Sequence, residues 1–139
     1  MLLVHDARPS TKDVDAVVTR GTARAVRDAV ATVATELDLP PDWLNHGAKG
    51  FLNGIAAGAV VFQAPSLIIR AIADQQLLAM KLSAWRDRID GEDATLLLAR
   101  IAGTKQSVWM SIESHLVRGR EQTARYAYDD LWDKLHGPS

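Results

Sequence analysis

The sequence predicts an α+β fold, with a sheet-containing part over about residues 1–73 and a helical part over about 74–139, joined in a single domain. Three observations carry that expectation. Short β-rich runs gather in the first half, apolar residues recur at helical spacing in the second, and the two kinds of segment are segregated along the chain. Interleaved strands and helices would instead point to a doubly wound sheet.

From Asp13 to Thr19 the side chains nearly alternate. Val14, Ala16 and Val18 fall on one face and Asp13, Asp15 and Val17 on the other, as a strand requires. After Gly21, Val26, Val30, Val33 and Leu37 fall at helical spacing, with Thr22 as N-cap and Pro40-Pro41 as terminator, which predicts a helix packed on the sheet. Asp42 to Asn45 and Gly47 to Gly54 read as short helical turns and loop. Two β-rich runs, Ala59–Gln63 and Leu67–Ala71, then flank Ala64-Pro65-Ser66 as a hairpin or as two strands joined across a turn.

Four helices are expected after that. Asp74 is the candidate N-cap of a segment carrying Leu77, Leu78, Lys81, Leu82 and Trp85, and Gly91-Glu92-Asp93 starts another that carries Leu96, Leu97 and Ile101 to Gly103. Ser107–Val117 and Glu121–Leu135 follow, split by Gly119. Trp43, Trp85, Trp109 and Trp132 all fall on apolar faces, where core packing is the ordinary role.

Composition narrows the chemistry. Of 139 residues, 47% are hydrophobic and 24% charged, which is globular composition. Sixteen basic against 17 acidic residues give a net charge of -1, so there is no overall electrostatic case for a polyanion partner. The chain has no cysteine, which removes disulfides, thiolate metal sites and cysteine nucleophiles. No apolar run is long enough to span a bilayer, and Met1-Leu2-Leu3-Val4 lacks the length and charged flank of a signal peptide, so a cytoplasmic protein without membrane contact is expected.

Asp13 and Asp15 are the strongest candidate site. Two acids at i and i+2 on a strand project from one face with Cα atoms roughly 6.5 to 7 Å apart. Mg²⁺ is held by only one or two protein carboxylates, with water and phosphate oxygens completing its shell, so such a pair suits a metal-nucleotide complex. Arg8, Thr11 and Lys12 precede the pair and offer two cations and a hydroxyl beside a triphosphate. The plain alternative for all five is a solvated strand and loop.

The run Arg8-Pro9-Ser10-Thr11-Lys12-Asp13-Val14-Asp15 resembles the Arg-x-x-Thr-x-Asp-x-Asp core of the nucleotidyltransferase fold, in the bacterial branch that includes abortive-infection toxins. Two further stretches are similar to that branch: Leu39-Pro40-Pro41-Asp42-Trp43-Leu44-Asn45, and Leu77-Leu78-Ala79-Met80-Lys81-Leu82 followed by Arg86, Asp90 and Asp93. The resemblance is scattered over residues 2 to about 102. It implies a mixed sheet flanked by helices, Asp13 and Asp15 as Mg²⁺ ligands, and an NTP as donor of NMP. It further implies Lys81 near the phosphates and Asp90 or Asp93 as the distal acid of the catalytic set. The acceptor would be RNA or protein, and the protein a toxin-like component with a cognate antitoxin. Read from the residues alone, Lys81 snorkels from an amphipathic helix, and Asp90 and Asp93 are loop and helix-start acids.

Two departures accompany the resemblance. Members of the branch carry a Gly-Gly or Gly-Ser pair at a helix start ahead of the carboxylates, whereas Met1-Leu2-Leu3-Val4-His5 resembles only the end of that helix. The run Leu67–Ala71 carries Arg70 where active members have a third acid. Such losses favour a second expectation, a non-catalytic binding or assembly module. An exposed sheet edge together with Leu2-Leu3-Val4 predicts a homo-oligomer that covers them.

Other signals are thin. His5, His46, His115 and His136 show no i, i+4 pairing, Gly47-Ala48-Lys49-Gly50 holds too little of a phosphate loop, and Ser114-His115 is mere adjacency. Arg118-Gly119-Arg120 is a small cationic corner.

Overall fold

The computed structural model describes residues 13–85 and 88–137, with backbone only for 88–90. It is α+β, as expected. The chain divides into two compact units, one spanning Arg8–Gly50 and the other comprising Met1–Ala7 with Phe51–Ser139.

In the Arg8–Gly50 unit, β1 (Val14–Asp15) pairs in parallel with β2 (Leu44–Asn45), and α1 (Ala23–Glu36) connects them. Thr22 caps α1 by accepting the Ala25 amide, as its sequence position predicts. The helix ends at Glu36, ahead of Pro40-Pro41. Asp38 takes a left-handed conformation (φ 52) and the Leu39 amide reaches back to the Ala34 carbonyl, a closure that satisfies the terminal acceptors. Val26, Val30 and Val33 are half-buried, but Leu37 is exposed, and Ala34 alone of the described residues in this unit is buried. Trp43 donates its indole N–H to the Val30 carbonyl at 3.1 Å and so fastens β2 to α1.

Two expectations need correction here. The strand predicted over Asp13–Thr19 is confined to β1, because its partner turns away at His46 into a short 3-10 helix, Gly47–Phe51. The segment Asp42–Asn45, expected to be turn and loop, contains β2.

The second unit holds a hairpin and four helices. β3 (Ala57–Ala64) and β4 (Leu67–Ile72) are antiparallel around Pro65-Ser66. Pairing runs Ala57 with Ile72, Val60 with Arg70, Phe62 with Ile69, Gln63 with Ile68 and Ala64 with Leu67. Each of the two register shifts therefore inserts its extra residue into β3, leaving β4 regular. At Gly58 a Cβ would lie 3.0 Å from the Ile72 carbonyl oxygen, so the first bulge depends on the missing side chain. Instead of one mixed sheet, the described residues form two separate two-stranded sheets.

Helices α2 (Asp74–Ala84), α3 (Arg88–Arg100), α4 (Lys105–Glu113) and α5 (Glu121–His136) enclose the core. Leu78, Leu82, Leu97, Leu98, Ile112 and Tyr128 are fully buried at its centre. Burying each such side chain contributes about 1.5–3 kcal/mol. Trp109 is buried, and Trp85 and Trp132 pack against the cluster. Asp74 is the first residue of α2 rather than its cap, which is Ala73. Gly91 lies inside α3 instead of starting it, and the Trp85 ring comes within 3.5 Å of where its Cβ would be.

Buried Gln76 anchors the hairpin to these helices. Its side-chain oxygen accepts the Ala56 amide, while its nitrogen donates to the Gly54 and Asn53 carbonyls at 2.9 and 3.4 Å. Asn53 in turn donates to the Ser114 and Leu116 carbonyls at 3.0 and 3.1 Å.

Candidate functional site

The parallel pairing of β1 with β2 brings the acids to a common neighbour. Asn45 donates from its side-chain nitrogen to Asp13 Oδ2 at 3.4 Å and accepts the Gly47 amide at 2.7 Å. Asp15 Oδ1 accepts the next amide, that of Ala48, at 3.2 Å. A Cβ on Gly47 would stand 2.9 Å from Asn45 Oδ1 and 3.0 Å from Asp15 Oδ1, so a glycine is required for both oxygens to approach. His46 is fixed from the other side, with Nδ1 donating to the Ala16 carbonyl at 2.7 Å. Asp13 and Asp15 are both exposed to solvent.

Chemically this is a patch of hard oxygen donors, two carboxylates and an amide oxygen, open to water. Such donors suit Mg²⁺, which retains waters and takes few protein ligands. Among the described residues no group of three or more His, Cys, Asp or Glu side chains is placed to hold a metal.

The remaining expected site residues are placed differently. Arg8, Thr11 and Lys12 lie outside the described residues, as does the side chain of Asp90. Lys81 on α2 and Asp93 on α3 belong to the helical unit, where they form an ion pair at 2.9 Å. Asp93 retains only 4% of its side-chain exposure and Lys81 20%. Lys81 therefore reaches inward to a carboxylate, where the sequence suggested snorkelling or a phosphate.

Sequence reasoning passed over a second charged cluster, on α4 and α5. Lys105 contacts Asp133 at 3.0 Å and Asp129 at 3.3 Å, and Arg125 hydrogen-bonds Asp129 at 3.1 Å while stacking 4.7 Å over Trp109. The Asp133 hydrogen bond raises the Lys105 pKa against the opposing effect of burial. Burial pushes Asp129 up, but hydrogen bonds from Arg125 and Lys105 overcome it and leave the carboxyl below its ordinary value. Tyr128 donates to the Lys105 carbonyl at 2.7 Å, and burial raises its pKa to about 12. Arg125 and Asp129 stand at i, i+4, a spacing visible in the sequence; their link to Lys105 is tertiary. This cluster ties α4 to α5.

No protein family, curated protein or solved structure is found to match the chain. No helix among the described residues is long and apolar enough to cross a membrane.

Proposed function

We propose that the chain is a nucleotidyltransferase-like protein that binds an NTP with Mg²⁺ through Asp13 and Asp15 and transfers NMP to an acceptor hydroxyl on RNA or protein, the hydroxyl oxygen bonding the α-phosphorus as the α–β anhydride breaks and pyrophosphate leaves, as a toxin-like component with a cognate antitoxin. The observation that supports this reading is that both exposed carboxylates are held by neighbouring groups, Asp13 by the Asn45 side-chain nitrogen and Asp15 by the Ala48 amide. Anchoring of this kind reduces the side-chain entropy lost on binding. When bound, Mg²⁺ supplies neutralisation of phosphate charge at the transfer point. Asp13 and Asp15 hold and orient, the Asn45 side chain steadies Asp13, the Ala48 amide steadies Asp15, and Gly47 keeps the space beside them open. Arg8, Thr11 and Lys12 flank the phosphates in this reading. Lys81 already serves Asp93, so the nucleotide site rests on the first unit's residues.

Calorimetric titration of ATP and of CTP, each with Mg²⁺, into the wild-type chain and into Asp13→Ala/Asp15→Ala tests binding. The expected result is heat with the wild type that the double variant loses. Equal heats for both proteins would refute the site. Turnover is read separately, as transfer of α-phosphate label to RNA or protein.

The buried pairing of Lys81 with Asp93 favours a second reading, a non-catalytic binding or assembly module, because it withdraws a cation and an acid from chemistry. Binding without label transfer would establish it.

A further inference from the structure

The β3–β4 hairpin carries six exposed large apolar side chains, Val60, Val61, Phe62, Leu67, Ile68 and Ile69, and among the described residues no third strand pairs with either edge. Two-stranded ribbons are marginal in water, and an open strand edge is a template for another chain. The two edges differ. Both bulges lie on β3, and bulges are a recognised device for spoiling an edge. β4 is regular over Leu67–Ile72, contains no proline, and has one charge, Arg70. That guanidinium donates to the Gly58 carbonyl at 3.3 Å, back across its own ribbon and away from the open side.

We infer that β4 pairs with β4 of a second copy, antiparallel about a two-fold axis at Ile69, giving a four-stranded sheet with both β4 strands in the middle. Overlap and charge together select this register, because only an axis at Ile69 or at Arg70 pairs five residues within Leu67–Ile72. With Ile69 opposite Ile69, Arg70 faces Ile68 of the other copy, whereas a shift that centres the axis on Arg70 would oppose two guanidinium groups. Area sets the strength. Strand alternation divides the six between the two faces, and Phe62, Leu67 and Ile69, which share one face, expose on the order of 250 Å² in each copy, a modest apolar patch. Edge pairing covers part of it, which places the interface below about 1,200 Å² in total, in the weak and reversible class. The association is therefore concentration-dependent, and a purified chain supplies its own partner.

Light scattering after size exclusion, from about 1 to 500 µM, is expected to move from one to two chain masses, in the micromolar range of weak complexes. Ile69→Lys and Ile69→Glu are each expected at one chain mass throughout, and their equimolar mixture at two, because Lys then faces Glu. A wild type that stays at one mass overturns the inference, as do variants that remain dimeric or a mixture that fails to recover. The native chain has no cysteine, so Ile69→Cys offers an independent readout that keeps an apolar side chain at the position. It is expected to form a disulfide-linked dimer at least tenfold faster than Tyr126→Cys on α5, and equal rates count against pairing at Ile69. A partner strand from another protein, or from elsewhere in the same chain, would leave the purified protein at one mass.

Discussion

Lys81 and Asp93 join α2 to α3 through a 2.9 Å contact in which the carboxylate is buried and the ammonium keeps 20% of its exposure. Removing one member of such a pair strands the other charge in a poorly solvated place, at a cost of about 3–5 kcal/mol. Asp93→Ala is expected to lower stability by that amount in urea unfolding, while the joint replacement Lys81→Met/Asp93→Leu stays within about 1–2 kcal/mol of the wild type. A double replacement as damaging as the single one would mean the pair is needed for more than mutual neutralisation.

Gly47→Ala tests the geometry of the acidic patch. The new methyl would come to 2.9 Å from Asn45 Oδ1 and 3.0 Å from Asp15 Oδ1, so one oxygen must move. Affinity for Mg²⁺ with NTP is expected to fall about tenfold, equivalent to roughly 1.4 kcal/mol, with the melting of the helical unit unchanged. Unaltered affinity would separate the patch from nucleotide binding.

Gln76→Leu removes the anchor of the hairpin. It leaves the Ala56 amide and the Gly54 and Asn53 carbonyls without their side-chain partner; water can replace it at the exposed Asn53 and Gly54, so the loss falls mainly on the Ala56 amide, and stranding one such group costs about 1–3 kcal/mol. Global stability is expected to drop by about 1–3 kcal/mol, and proteases are expected to cut first near Gly54. A loss below about 0.5 kcal/mol would show that the loop is held by other means.

The α4–α5 cluster sets opposite limits on pH. Asp129 has a folded pKa below its ordinary 3.8, so its stabilisation is present above that value and lost as pH falls through the folded pKa. Lys105 and Tyr128 are raised, from 10.5 and from 10.0 respectively. Their stabilisation is complete below those values and lost as pH rises through the folded ones, for Tyr128 about 12. Thermal melts are expected to plateau between these limits, and Tyr128→Phe to flatten the alkaline decline. An alkaline limb unchanged in Tyr128→Phe would exclude the phenol as its source.

Local signals made most of the fold legible. The faces of α1, α2, α4 and α5 follow from apolar spacing, Thr22 announces its cap, and Pro65-Ser66 announces the hairpin turn. What escaped depends on distant partners. β2 is two residues long and is a strand only because β1 lies beside it, and α3 runs through Gly91 because Trp85 packs over a position with no side chain. The sequence spacing singled out Asp13 and Asp15, but nothing in it gave Asp13 the Asn45 side chain or Asp15 the Ala48 amide as partner. Lys81 and Asp93 look like ordinary helix residues until α2 and α3 are packed.

Ala34 has one further consequence. As the sole buried residue described in the Arg8–Gly50 unit, it leaves that unit with almost no dry interior to resist transient opening. In heavy water, the amides of α1 should take up deuterium well before those of α2 and α5, and any molecule seated on the acidic patch should slow that uptake.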